Sequence, residues 1–191
     1  MGYTAAANPS DVSNDGLEIL TESSQLQATA RTLTFQQDVI EGLKQTPKHL
    51  PCKYFYDKRG SALFDEICLL DEYYLTRAEQ AIMDRYADEM GAQIGEGAML
   101  VEYGSGSSIK TRILLDHLID PAAYVPVDIS HRHLHLVAEQ LRQDFPQIEI
   151  LPVTADFTTE FELPTSTVPS THAAVYFPGS TIGNFEADQA D

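Results

Sequence analysis

Helical periodicity opens the readable part of the chain. Phe35, Val39, Ile40 and Leu43 recur at the spacing that puts apolar side chains on one face of a helix. Pro47 and Pro51 then bracket a loop. Leu63, Phe64 and Ile67 predict a short helix after Gly60-Ser61. Thr76 and Glu79, in T-R-A-E, have the spacing of a capping box and predict a helix running to about Met90. Ahead of these, residues 1 to about 30 are rich in Ser, Thr, Asn, Asp and Ala without a period, and read as a flexible lead-in.

From residue 98 the period changes. Apolar runs of strand length alternate with helical segments. Ala98–Tyr103 reads as a strand, and Ser108–Leu118 as a helix with Ile113, Leu114 and Leu118 inward. Ala123–Asp128 is the next strand. Ser130 can cap a helix in which Leu134, Val137, Ala138 and Leu141 share a face, and Pro146 follows its end. Ile148–Val153 and Ala173–Phe177 complete the strands, the last running into "PGSTIGN". Strands alternating with helices predict right-handed βαβ units and a parallel sheet. Four strands with two crossover helices make the front half of a doubly wound sheet, so the chain is expected to be a fragment whose fourth strand has an unpaired outer edge.

Composition narrows the function. The chain of 191 residues is long enough for one domain with a proper core, and at 43% hydrophobic and 21% charged it is ordinary for a globular protein. Acidic residues outnumber basic ones 29 to 12, a formal charge of −17 that disfavours nucleic acid as a partner. No run of 18 apolar residues predicts a membrane span, and no basic-then-apolar start marks a secretory signal. Cys52 and Cys68 make no disulfide framework and fit a reduced, cytoplasmic setting.

Chemistry gathers at "VEYGSGSSIKT", Val101 to Thr111. A triphosphate loop, G-x-x-x-x-G-K-[ST], needs Gly where Ile109 stands. The dinucleotide fingerprint begins at Gly104 and Gly106, but its third Gly is again Ile109. Two glycines alone are a weak signal, since many strand-to-helix turns carry them for backbone reasons. The context strengthens it. Glu102 precedes the turn, Asp128 ends the next strand, and Asp156-Phe157 follows the third. A carboxylate at Asp128 can accept ribose hydroxyls; Asp156 can accept from an adenine amino group, and the Phe157 ring can pack on the base. An adenosyl ligand without phosphates fits this pattern, and S-adenosylmethionine (SAM) is the obvious candidate. Lys110, in the first turn of a helix where a cation is disfavoured, suggests a ligand carboxylate. In "HRHLH", His131 and His135 share a helical face, but there is no following Glu and no third ligand, so no metal site is assigned.

Five stretches then combine: "KYFYDKRGSALFDEICLLDEYYLTRAE", "VEYGSGSSIKTRILLD", "YVPVDIS", "ADF" and "FPGSTIGNF". Together they resemble the SAM-dependent histidine-specific methyltransferase family, which includes the L-histidine Nα-methyltransferases of ergothioneine biosynthesis. The resemblance runs from about residue 35 to the end, and its first and last motifs are far more specific than the glycine turn. It implies a class I methyltransferase fold, an α/β Rossmann-like parallel sheet, incomplete here, with an N-terminal helical segment. The expected organisation is a lead-in over 1–30, a helical segment over 31–97 that contributes to the cofactor and substrate site, and the front half of the methyltransferase domain over 98–191.

The resemblance also implies site residues. Cofactor contacts fall on Gly104, Lys110, Asp128, Asp156 and Phe157; a catalytic tyrosine near cofactor and amine falls on Tyr56; substrate contacts fall on Tyr73 and Asn184. Asp71 stands where the family usually has Pro, and Pro178 where an aliphatic residue is common; neither is a matched contact. The implied activity is transfer of methyl groups from SAM to the α-amino group of L-histidine, a small-molecule partner, by an enzyme that is a monomer at full length. The 191-residue chain alone is expected to turn over poorly. The competing readings are a non-catalytic adenosyl-binding module, a methyltransferase for another amine, and a dinucleotide-dependent oxidoreductase, the last disfavoured by Ile109.

Overall fold

The structure, a computed structural model, describes residues 32–55, 58–106, 108–185 and 187. The expected lead-in over 1–30 and Tyr56 lie outside the described residues. The chain divides into two compact units, Met1–Tyr54 and Phe55–Asp191.

In the first unit, the predicted helix forms as α1, 32–44. The Pro47–Pro51 stretch that follows is irregular, as two prolines demand. A 3-10 turn, Cys52–Phe55, comes next, and the boundary between the units falls before its last residue. The Tyr54 ring stands edge-on to Phe35 at 4.7 Å, and its hydroxyl donates to Asp38.

The second unit holds α2 (Lys58–Cys68), α3 (Leu75–Ile94), β1 (Ala98–Tyr103), α4 (Ile109–Asp116), β2 (Ala123–Asp128), α5 (His131–Asp144), β3 (Glu149–Ile150), β4 (Val153–Thr154), β5 (His172–Tyr176) and a 3-10 turn over Thr181–Asn184. All strand pairs are parallel, in the order β3-β2-β1-β5, with β4 also on β2. Leu100 lies opposite Tyr124 on one side and Ala174 on the other. The chain runs outward from β1 to β2 and β3, then returns across the sheet to β5, so the strand order reverses beside β1. Ligands of open α/β sheets bind in the crevice at such a point.

Alternation along β1 sorts the core into two layers. Leu100 points to a layer of Met83, Leu114, Leu115, Tyr124, Val137, Ala138 and Leu141 that joins the sheet to α3, α4 and α5. Met99 and Val101 point to the other face, with Ala123, Val125 and Val127, where Phe157 and Phe161 from the loop after β4 pack. A strand buried on both faces reads as a continuous apolar run, which explains "AMLV" and "AYVPV".

Several boundaries depart from the sequence reading. The short helix starts at Lys58 and takes Gly60-Ser61 inside it. Helix α3 runs on to Ile94, past the expected end near Met90. It passes through Gly91, where an added Cβ would stand 2.0 Å from the His117 carbonyl oxygen; only a glycine admits this backbone. The capping box is not formed: Tyr74 is the N-cap, Thr76 donates to Cys68 Sγ at 3.3 Å, and Glu79 turns elsewhere. Ser130 occupies the N-cap of α5 but makes no side-chain cap bond. The strand expected over Ile148–Val153 is broken into β3 and β4 around Leu151-Pro152, because Pro152 has no N–H for the ladder.

Candidate functional site

The glycine turn follows β1 and is held from β2. The N–H groups of Gly104 and Ser105 donate to the Val127 carbonyl at 2.9 and 3.3 Å. Gly106 donates its N–H to Asp128 Oδ2 at 3.2 Å, and Ser130 donates to Oδ1 at 2.8 Å. The carboxylate at the end of β2 therefore faces the turn, not bulk solvent. Gly104 has φ +68°, a left-handed backbone suited to glycine, and a Cβ there would stand 3.7 Å from the Phe157 ring. The chain re-enters regular structure through Ser108, also left-handed at φ +53°.

A sealed polar cluster lies beneath the turn. Glu102, at the end of β1, is 2% exposed. The Thr111 hydroxyl in α4 lies 2.7 Å from both of its oxygens, sharing its one proton between them, and the buried Tyr124 hydroxyl of β2 donates to Oε2. Burial pushes the Glu102 carboxyl up to about 7, against the opposing pull of the Tyr124 and Thr111 hydrogen bonds and of Lys110. Burial likewise raises the Tyr124 phenol, helped by the Glu102 charge. Three elements meet on this one side chain. Ser105 in the turn above has a buried hydroxyl with no hydrogen-bond partner among the described residues.

Lys110 lies in the first turn of α4, as read from the sequence, and its Nζ pairs with Glu79 of α3. The other Glu79 oxygen accepts the N–H of Gly179, beyond β5, at 2.7 Å. Phe157 stacks on Tyr103, with ring centroids 5.3 Å apart and planes 6° apart, and meets Phe177 edge-on at 5.2 Å and Phe185 at 6.2 Å. Asp156 Oδ1 accepts the N–H and hydroxyl of Thr158, an Asx-type turn that orders the start of the loop after β4. Tyr73 precedes α3, half-buried, its ring edge-on to Phe64 at 5.9 Å. Its phenol is raised by burial, then by Cys68 and Glu79. Asn184 ends the 3-10 turn after β5 and is exposed.

The structure thus brings Gly104, Asp128, Phe157 and Lys110 to the carboxyl ends of the strands. It places Asn184 after the β5 end of the same sheet and Tyr73 just before α3. Sequence reading missed Glu79 as a site residue, because its spacing from Thr76 gave it a local explanation. It missed the aromatic group of Tyr103, Phe177 and Phe185 around Phe157; the signal available was a ring at or just after the ends of β1, β4 and β5. The His131 and His135 rings lie 4.3 Å apart on α5, and burial lowers His135, followed by the His131 and Arg142 charges. Among the described residues, no helix is long and apolar enough to cross a membrane.

The donor set suits an adenosyl amino acid: open backbone at Gly104, a carboxylate with lone pairs beside it, an aromatic ring, and one ammonium. The comparisons with known proteins agree. The family profile described as histidine-specific methyltransferase, SAM-dependent, matches residues 35–191. A histidine N-alpha-methyltransferase from Mycobacterium tuberculosis is 40% identical over 156 residues, covering 80% of this chain and 47% of the relative. One of the same name from Mycolicibacterium smegmatis is 39% identical over 169 residues, covering 86% of this chain and 51% of the relative. Ergothioneine biosynthesis protein 1 of Neurospora crassa is 38% identical over 101 residues, 51% of this chain and 12% of that protein. The chain spans about half the length of the two bacterial relatives.

Proposed function

We propose, on the premise that the chain belongs to the family of SAM-dependent histidine-specific methyltransferases, that it forms the cofactor half of an L-histidine Nα-methyltransferase. SAM, when bound, supplies a methyl group on a cationic sulfur, an electrophile open to displacement by a nitrogen lone pair. The chain's own residues bind and orient. Asp128 keeps lone pairs beyond those used by Gly106 and Ser130, and these accept the ribose hydroxyls. Asp156 faces the adenine amino group and Phe157 the base. Lys110 has three donors; one is given to Glu79, leaving others for an amino-acid carboxylate.

Acceptor chemistry falls to Tyr73, Asn184 and Tyr56. A protonated amine has no lone pair, so the site must hold the neutral amine in line with the methyl group. The Tyr73 phenol, raised above its usual range, stays protonated and remains a donor. Asn184 donates to the substrate carboxylate and accepts from its amine. Tyr56 stands near amine and cofactor in this reading. Successive transfers would yield trimethylhistidine. The unpaired cysteines Cys52 and Cys68 suit a reducing, cytoplasmic setting.

One observation carries the proposal: the Gly106 N–H to Asp128 hydrogen bond joins the glycine turn to the acidic end of the neighbouring strand. The test is transfer of radiolabelled methyl from SAM by the full-length protein to a panel of amino acids. Label on the α-nitrogen of histidine is expected. Transfer to another amine alone, or to none, contradicts the assignment, and binding of NADH in place of SAM would favour an oxidoreductase.

A further inference from the structure

We propose that Glu79 is a positioning residue that fixes the cofactor lysine and the acceptor loop relative to each other. This rests on the reading above, in which Lys110 faces the cofactor and Asn184 the acceptor. Glu79 sits near the start of α3 and uses its two oxygens on two different elements. Oε2 takes the Lys110 ammonium, 31 residues away, and Oε1 takes the Gly179 N–H, 100 residues away.

The cluster is tight. A Cβ at Gly179 would stand 3.7 Å from Lys110 Nζ, so the lysine head, the loop backbone and the carboxylate share one spot. Lys110 lies where the helix dipole opposes a cation, and the Glu79 charge offsets that opposition. Gly179 and Ser180 are consecutive left-handed residues, at φ +78° and +57°, that turn the chain leaving β5 into the 3-10 turn ending on Asn184. Anchoring the Gly179 N–H sets the point from which that turn departs. A carboxylate is required because the two partners are donors on opposite sides. A neutral amide can serve only one of them.

Two variants of the full-length protein separate the two jobs. Glu79→Gln keeps a carbonyl oxygen for Gly179 and gives up the ion pair; Glu79→Ala gives up both. Calorimetry should show SAM affinity falling about fivefold or more in each, as expected for a lost charged partner. The acceptor KM should rise about tenfold in Glu79→Ala and stay within about threefold in Glu79→Gln. Hydrogen exchange at the Gly179 amide should accelerate in Glu79→Ala only. A Glu79→Ala protein with parental melting temperature, acceptor KM and Gly179 exchange overturns the proposal. If that variant does not fold, Glu79→Gln decides, and unchanged SAM affinity there overturns it as well. Lys110→Met serves as the control. It should weaken SAM binding and leave Gly179 exchange alone; if it leaves SAM affinity unchanged, the cofactor reading fails at Lys110, whatever Glu79 does.

Discussion

Glu102 is a carboxyl closed beneath the glycine turn, with Thr111 and Tyr124 as its donors. Burial raises it from 4.5 to about 7. Its folded-state value thus lies above its value in the unfolded chain. The native state holds a proton that the unfolded state has already released, so this contribution to stability is fully present below about 4.5 and is lost as pH rises through about 7. The shift corresponds to roughly 3 kcal/mol. Chemical denaturation at about pH 4.5 and about pH 8 should show the parent losing stability of that order, and Glu102→Gln losing much less of it. An identical pH slope in the two proteins contradicts this role. From the sequence, Glu102 was legible only as a carboxylate near a strand end. Its donors lie 9 and 22 residues away on other elements, and no local spacing encodes such a meeting. Glu79 was misassigned for the same reason, since a capping box is a local explanation and its true partners are distant. The place of Asp128 at the end of β2 was legible because the strand pattern itself marks it.

At the scale of elements, the two periods carried most of the fold. Strands β1 and β2 fall on the apolar runs read from the sequence, Ala98–Tyr103 and Ala123–Asp128, and helix α5 buries Leu134, Val137, Ala138 and Leu141, the face read from the sequence. Helix ends were less legible, because packing rather than propensity decides them. Helix α3 outruns its expected end because Gly91, ordinarily a poor helix residue, gives up its side chain to let the turn after α4 approach. Gly91→Ala should therefore destabilise the protein by about 1–3 kcal/mol, against the slight gain expected at an open helix position. Urea denaturation checks it, and a stabilised variant would show that the two backbones are not in contact. The break at Leu151-Pro152 was misread because an apolar run of strand length hides a residue that cannot donate to the ladder.

At the scale of the molecule, charge and the sheet edge matter most. A formal charge of −17, 29 acidic residues against 12 basic ones, leaves the surface strongly acidic. Such a surface repels itself at low salt, so melting temperature should rise as ionic strength goes from about 0.01 to about 0.15 M; a fall would show that attractive pairs dominate. On β5, Val175 is 60% exposed, and the outer edge of this strand pairs with no other among the described residues. The match covers about half of each bacterial relative, so the acceptor side of the proposed site is tested on the full-length protein.

In the proposed site, the sugar of a nucleoside lies on Asp128 beside the glycine turn. Calorimetric titration of the full-length protein with SAM, parent against Asp128→Asn, tests it most directly. Asparagine keeps an acceptor for one backbone amide and loses the charge proposed to receive the ribose hydroxyls. Binding weaker by roughly 1–3 kcal/mol is expected in the variant, with a modest fall in melting temperature from the one backbone N–H that loses its acceptor. Equal affinity in the two proteins would contradict it.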